Sequence, residues 1–130
     1  MPLIERDTTE AVIQVFYDVY NTLDFGFMEH VYAAAMEREL RERGHSVARE
    51  FAVQVFYKQQ PLATQRLDLV VDGKVVVEIK STYELHKGAS RQVYSYLRAT
   101  NLEVGLLLHF GPRPSFCRLL LTNDRKRGFR

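Results

Sequence analysis

A chain of 130 residues fits one domain of ordinary size and leaves little room for a second core. Apolar residues at 46% and charged residues at 26% exclude a disordered or fibrous chain, and a formal charge of only +2 excludes attraction to nucleic acid by bulk charge. The single Cys117 excludes an internal disulfide, no apolar run nears the roughly 18 residues that cross a bilayer, and Met1 to Asp7 lacks a secretion-signal pattern, so a cytoplasmic protein outside the membrane is expected.

Asp7 and Glu10 have the spacing of a capping box, and Val12, Val15, Phe16, Val19 and Tyr20 then recur at helical intervals, which predicts a helix from about Thr8 to Thr22. Asp24 to Gly26 interrupt it. A second amphipathic helix, with Val31, Ala34, Ala35 and Leu40 on its apolar side, is expected to stop at Gly44. From Val47 to Tyr57 the period falls to two, the mark of a strand, and Pro61 is expected to end it. Leu67–Val71 and Lys74–Lys80 flank Asp72-Gly73 and read as an antiparallel hairpin. Helical spacing returns from Gly88 to Thr100, followed by an apolar strand Val104–Phe110, a Gly-Pro turn and a last strand Phe116–Thr122. Residues 1–122 are thus expected to form one domain, with 123–130 as a basic tail.

The hairpin carries the unusual chemistry. Arg66, Asp68, Glu78 and Lys80 lie within strongly apolar runs, where charges require an explanation. Alternation puts Glu78 and Lys80 on one face. A two-residue turn at Asp72-Gly73 would send Asp68 to the opposite face, whereas a three-residue connection or one bulge would bring all four groups to a common face. Such an irregularity is predicted between Asp72 and Lys74. Two carboxylates meeting there would repel unless a cation lay between them, and an all-oxygen pair suits magnesium or manganese better than zinc. The plain alternative for Glu78 and Lys80 is a surface ion pair. His30, His45, His86 and His109 show no zinc-ligand spacing, and no phosphate-cradling glycine loop is present.

Aspartate, a gap, then Glu-x-Lys on the next strand resembles the active-site core of the PD-(D/E)XK nuclease superfamily. More specifically, Gly26-Phe27-Met28-Glu29-His30-Val31-Tyr32, Asp68-Leu69-Val70-Val71, Val77-Glu78-Ile79-Lys80, and Gln92 with Tyr96-Leu97 resemble the bacterial GxxExxY branch of that superfamily over about Gly26 to Leu120. The resemblance implies an α/β, restriction-endonuclease-like core: a central mixed β-sheet flanked by helices. It implies a nuclease-like enzyme that hydrolyses phosphodiester bonds with Mg2+ or Mn2+ held by Asp68 and Glu78. The Ile79 carbonyl would be a further ligand, Lys80 would assist the water, and Glu29 and Gln92 would complete the pocket. Tyr32 and Tyr96 are expected as supporting walls, and Arg66 and Arg91 as contacts to nucleic acid, DNA ahead of RNA. Ala89 and His109 depart from the pattern, which has histidine and asparagine there. The competing expectation is a binding or assembly module that keeps the fold without turnover. A chain this small has little surface for gripping long DNA, so a homodimer or a partner protein is also expected.

Overall fold

The structure, a computed structural model, describes residues 4–126. Helix α1 (Arg6–Leu23) begins before the expected start, and the capping box does not form. Glu5 enters the helix at φ 54° without a side-chain cap, and Glu10 pairs with Arg6 at 3.1 Å. Arg6 lies four residues before Glu10, the spacing at which helical side chains meet, so the glutamate goes to that cation instead of reaching back to cap. Helix α2 (Glu29–Glu42) ends at Gly44 as expected. The Gly44 N–H donates to the Arg41 carbonyl at 3.0 Å and the His45 N–H to the Leu40 carbonyl at 3.0 Å, the paired bonds of a Schellman end.

Five strands follow in the spatial order of the sequence: β1 (Val47–Tyr57), β2 (Gln60–Val71), β3 (Val75–Lys80), β4 (Val104–Phe110) and β5 (Pro114–Leu120). All neighbours are antiparallel except β3 and β4, which run parallel because helix α3 (Ala89–Arg98) returns the chain between them. This is the α/β class with a mixed sheet flanked by helices that the sequence predicts. Pro61 does not end a strand. It lies in β2 next to a tight turn at Lys58 and Gln59, both at positive φ, and opposite Phe56, where the pairing shifts and Leu62 is left over. Residues 60–66 thus lengthen the second strand beyond the expected Leu67 start, because β1 supplies them with a pairing partner.

One sheet face carries Leu69, Val71, Val77, Ile79 and Leu106 under α1 and α2; the other carries Val70, Val76 and Leu107 under Val93, Tyr96 and Leu97 of α3. Every residue of β4 is buried, as its unbroken apolar run predicts. At Gly105 an added Cβ would lie 2.4 Å from Val93 Cγ1, so α3 approaches the sheet as closely as it does only because that position has no side chain. The start of the basic tail is docked: Asn123–Arg125 form one 3-10 turn, and Lys126 Nζ donates to the Thr100 and Leu102 carbonyls at 2.9 and 2.7 Å. Arg127 and Arg130 of the expected tail lie outside the described residues. Among the described residues no helix is long and apolar enough to cross a membrane.

Candidate active site

The connection between β2 and β3 decides which side chains meet. Val71 pairs with Val75, leaving Asp72, Gly73 and Lys74 between them. Asp72 and Gly73 take φ of 55° and 62°, a left-handed pair suited to an Asp-Gly step, and the Lys74 N–H donates to the Val71 carbonyl at 3.0 Å. The odd length sets the parity: Leu69 pairs with Val77, so Asp68 falls opposite Glu78. The three-residue connection required for a shared site is therefore present. Asp72 itself is spoken for, accepting from the Ser46 N–H at 3.0 Å and Thr8 Oγ1 at 3.3 Å, with His45 Nδ1 at 2.8 Å.

Beyond Leu69 and Val77 the ladder stops, and the Ile79 N–H donates at 2.8 Å to the Asp68 side chain instead of to a backbone carbonyl. Across the other edge of β2, Glu50 takes φ 49° at the position facing Asp68. Leu67 belongs to the α3-side core whereas Leu69 belongs to the opposite one, so β2 turns over at Asp68. Simple alternation therefore does not carry Arg66 onto the face of Glu78 and Lys80. It reaches the site another way, through a cleft it lines together with Asp68.

Glu78 is 3% exposed. Its Oε2 lies 3.1 Å from Lys80 Nζ, and its buried Oε1 has no partner. The surface ion pair is thus replaced by a buried carboxylate with one oxygen to spare. Burial, and then the charge of Asp68, push the Glu78 carboxyl up to about 7 despite Lys80. Burial also raises Asp68, with the Ile79 N–H opposing and Glu29 adding to the rise. Tyr96 is pushed up to about 12 by burial and by the negative charge of Glu78, against the lowering effect of its hydrogen bond with Gln92.

Glu29, at the first position of α2, accepts from the Ser81 N–H at 3.2 Å, a contact across 52 residues of sequence that draws the helix start to the end of β3. It lines both clefts that meet there. One, of about 350 Å³, contains Lys80, Thr82, His86, Ala89 and Gln92. The other, of about 300 Å³, contains His30, Arg49, Glu50, Arg66 and Asp68. Gln92 Nε2 donates to the Tyr96 hydroxyl at 2.6 Å, so Tyr96, which lines neither cleft itself, holds the Gln92 amide at the wall of the first. Tyr32 stands apart: its ring stacks on Phe110 at 4.1 Å, and its hydroxyl donates to the Asp24 carbonyl and accepts from the Phe27 N–H. It braces the loop before Glu29 without lining either cleft. Arg91 is exposed on α3 and also lines neither.

Arg49 is one of the cleft residues missed by sequence reading. Its buried Nε has no partner, and Nη1 lies 3.5 Å from Glu37. The available signal was a cation at an otherwise apolar position of the Val47–Tyr57 alternation. His109 lies opposite Lys80 on β4 and is 7% exposed. Its Nε2 is 2.9 Å from the Thr82 carbonyl, which can only accept, so this nitrogen carries the proton and pins the loop after β3. Ala89 leaves the cleft wall beside Gln92 apolar.

Among the described residues no three His, Cys, Asp or Glu side chains gather as a metal cage. The donor set nevertheless fits a hard divalent cation in part. Two facing carboxylates disfavour each other's charge, which a bound cation would offset, and the spare Glu78 Oε1 is a buried oxygen lacking a hydrogen-bond partner. Backbone carbonyl, solvent or substrate oxygens would have to complete the coordination.

The family model described as the PD-(D/E)XK nuclease superfamily matches residues 6–119. A solved structure described as "Crystal structure of SSO0001" is similar with a TM-score of 0.54 at 16% identity, over 75% of this chain and 52% of that one. The chain thus spans about half the length of that structure, and the likeness concerns the fold, a restriction-endonuclease-like core. No curated protein matches the sequence.

Proposed function

This chain belongs to the PD-(D/E)XK nuclease superfamily, and on that premise we propose that it is a divalent-metal-dependent phosphodiesterase of the GxxExxY branch acting on nucleic acid, DNA ahead of RNA. The observation that carries the reading is the pairing of half-buried Asp68 with buried Glu78, whose Oε1 lacks a hydrogen-bond partner. Asp68 and Glu78 would hold Mg2+ or Mn2+. When bound, such an ion polarises a phosphate and lowers the pKa of water.

The remaining work falls to the chain's own side chains. Lys80 Nζ, held by Glu78, is the only lysine among the described residues lining the clefts and supplies positive charge and a proton donor beside the scissile phosphate. Glu29 lines both clefts and would orient the attacking water. Gln92, fixed by Tyr96, presents an amide to the same space. Arg66 and Arg49 flank Asp68 and suit phosphates to either side of the bond cut.

Titrating Mn2+ calorimetrically into the wild type and Asp68→Ala, then incubating both with single- and double-stranded DNA and RNA, tests the proposal. Binding and cleavage in the wild type, both lost in Asp68→Ala, are expected. Lys80→Gln should keep metal binding and lose cleavage by about 10²-fold or more. Cleavage by Asp68→Ala at the wild-type rate would overturn the assignment. The convergence of two rather than three acidic or imidazole ligands favours a second reading, a nuclease-fold binding module without turnover. That reading predicts nucleic-acid binding with no cleavage in the wild type.

A further inference from the structure

The hairpin of β1 and β2 runs past the end of the core, and its outer strand is the edge of the sheet. From Phe51 to Tyr57 that edge reads Phe-Ala-Val-Gln-Val-Phe-Tyr, with Phe51, Phe56 and Tyr57 exposed by 42%, 40% and 60%. Soluble proteins guard such edges with lysine, proline or a bulge in the edge strand. None of these interrupts Phe51–Tyr57. The pairing shift near Phe56 leaves its extra residue, Leu62, on β2, so β1 stays continuous.

The segment is also symmetric about Gln54. It is bounded on one side by Glu50 and on the other by Lys58, each at φ 49°. These two are the only charged residues from 50 to 65. A two-fold axis at Gln54 would set Phe51 against Tyr57, Ala52 against Phe56 and Val53 against Val55 of a second strand, like against like. It would also set Glu50 against Lys58, opposite charge against opposite charge, twice. A nucleic acid would find no net positive charge on this stretch, so phosphate attraction does not account for it.

We propose that two copies of this chain associate by antiparallel pairing of their β1 edges about Gln54, forming a continuous ten-stranded sheet. The pairing satisfies the free backbone groups of both edges and covers the exposed aromatic residues. It does not depend on the nuclease reading: of the paired residues 50 to 58 only Glu50 borders a cleft, and the pairing requires neither metal nor substrate.

Light scattering after size exclusion, with sedimentation equilibrium from low micromolar to several hundred micromolar protein, tests the proposal. A dimer of twice the 15.1 kDa chain mass is expected at the upper end. Glu50→Lys and Lys58→Glu should each weaken dimerisation by about tenfold or more, and the double exchange should restore it. Gln54 Nε2 donates to Thr64 Oγ1; in Gln54→Glu that hydroxyl can donate to the carboxylate instead, while two carboxylates are set face to face across the axis, and the variant should also yield monomer. These side chains are exposed, and unchanged melting temperatures would show that folding is intact. A monomer throughout the range, or a dimer indifferent to all these changes, would overturn the proposal. So would a monomer whose affinity for duplex DNA falls in Lys58→Gln, because the edge would then serve nucleic acid instead.

Discussion

Asp72 and Glu78 belong to the same hairpin and carry the same functional group, yet their surroundings are opposite. Asp72 sits at the turn with an N–H, a hydroxyl and an imidazole around it, and although burial pushes its carboxyl up, His45 and Ser46 hold it below the ordinary range. Glu78 has one cationic neighbour, an acidic one and an oxygen with no partner, and its carboxyl is pushed up to about 7. An acid whose hydrogen bonds are satisfied is part of the scaffold; an acid buried without them marks a place that the fold holds ready at a cost.

The sharpest way to break this contrast is to remove each acid in turn. Glu78→Ala is expected to abolish Mn2+ binding in a calorimetric titration, whereas Asp72→Asn should bind the ion with wild-type affinity. Equal affinity in both variants would erase the distinction.

Stability against pH should separate the two next. With a folded pKa of about 7 against an ordinary 4.5, Glu78 favours the metal-free fold fully only below pH 4.5, and that contribution is lost as pH rises to 7. Glu78→Gln should therefore stabilise the metal-free protein by roughly 2–3 kcal/mol near pH 8, after allowance for the partner lost by Lys80, and change little near pH 4. Urea unfolding in chelator at the two pH values reads this directly, and an equal effect at both would contradict it.

The smallest effect belongs to the turn. Asp72 titrates below its ordinary 3.8, so its contribution is present above that pH and is lost as pH falls through the lowered value. Asp72→Asn, which tolerates the left-handed backbone, should cost about 1 kcal/mol at neutral pH and progressively less in acid. A cost that grew on acidification would reverse the assignment.

The uneven legibility of the fold has physical causes. β4 announced itself because burial on both faces leaves no room for polar residues, and α2 because its terminating glycine is local in sequence. The reach of β2 to Gln60 was hidden because Gln60 to Arg66, a largely polar stretch, acquires strand structure only through pairing with β1. The capping box failed because Arg6, just upstream, competed for Glu10. Within the site, Asp68, Glu78 and Lys80 were readable because charge inside an apolar hairpin is costly wherever it occurs. Glu29 was reachable only through resemblance, since its contact with Ser81 spans 52 residues. The turning over of β2 beside Glu50 leaves one trace in the sequence, the break in alternation at Arg49, which is why alternation alone does not locate Arg66.

The three-residue connection has a consequence for how this protein can vary over evolutionary time. Asp72, Gly73 and Lys74 are open to exchange within the limits of a left-handed turn, but their number is not. Deleting or inserting one residue there would invert the facing of every side chain that follows in β3, turning Glu78 and Lys80 toward the α1–α2 core and Ile79 toward the α3 face. Lineages that keep the site should therefore conserve the length of this loop more strictly than its spelling, and a gap at that point in an aligned relative would mark a chain that has lost the site.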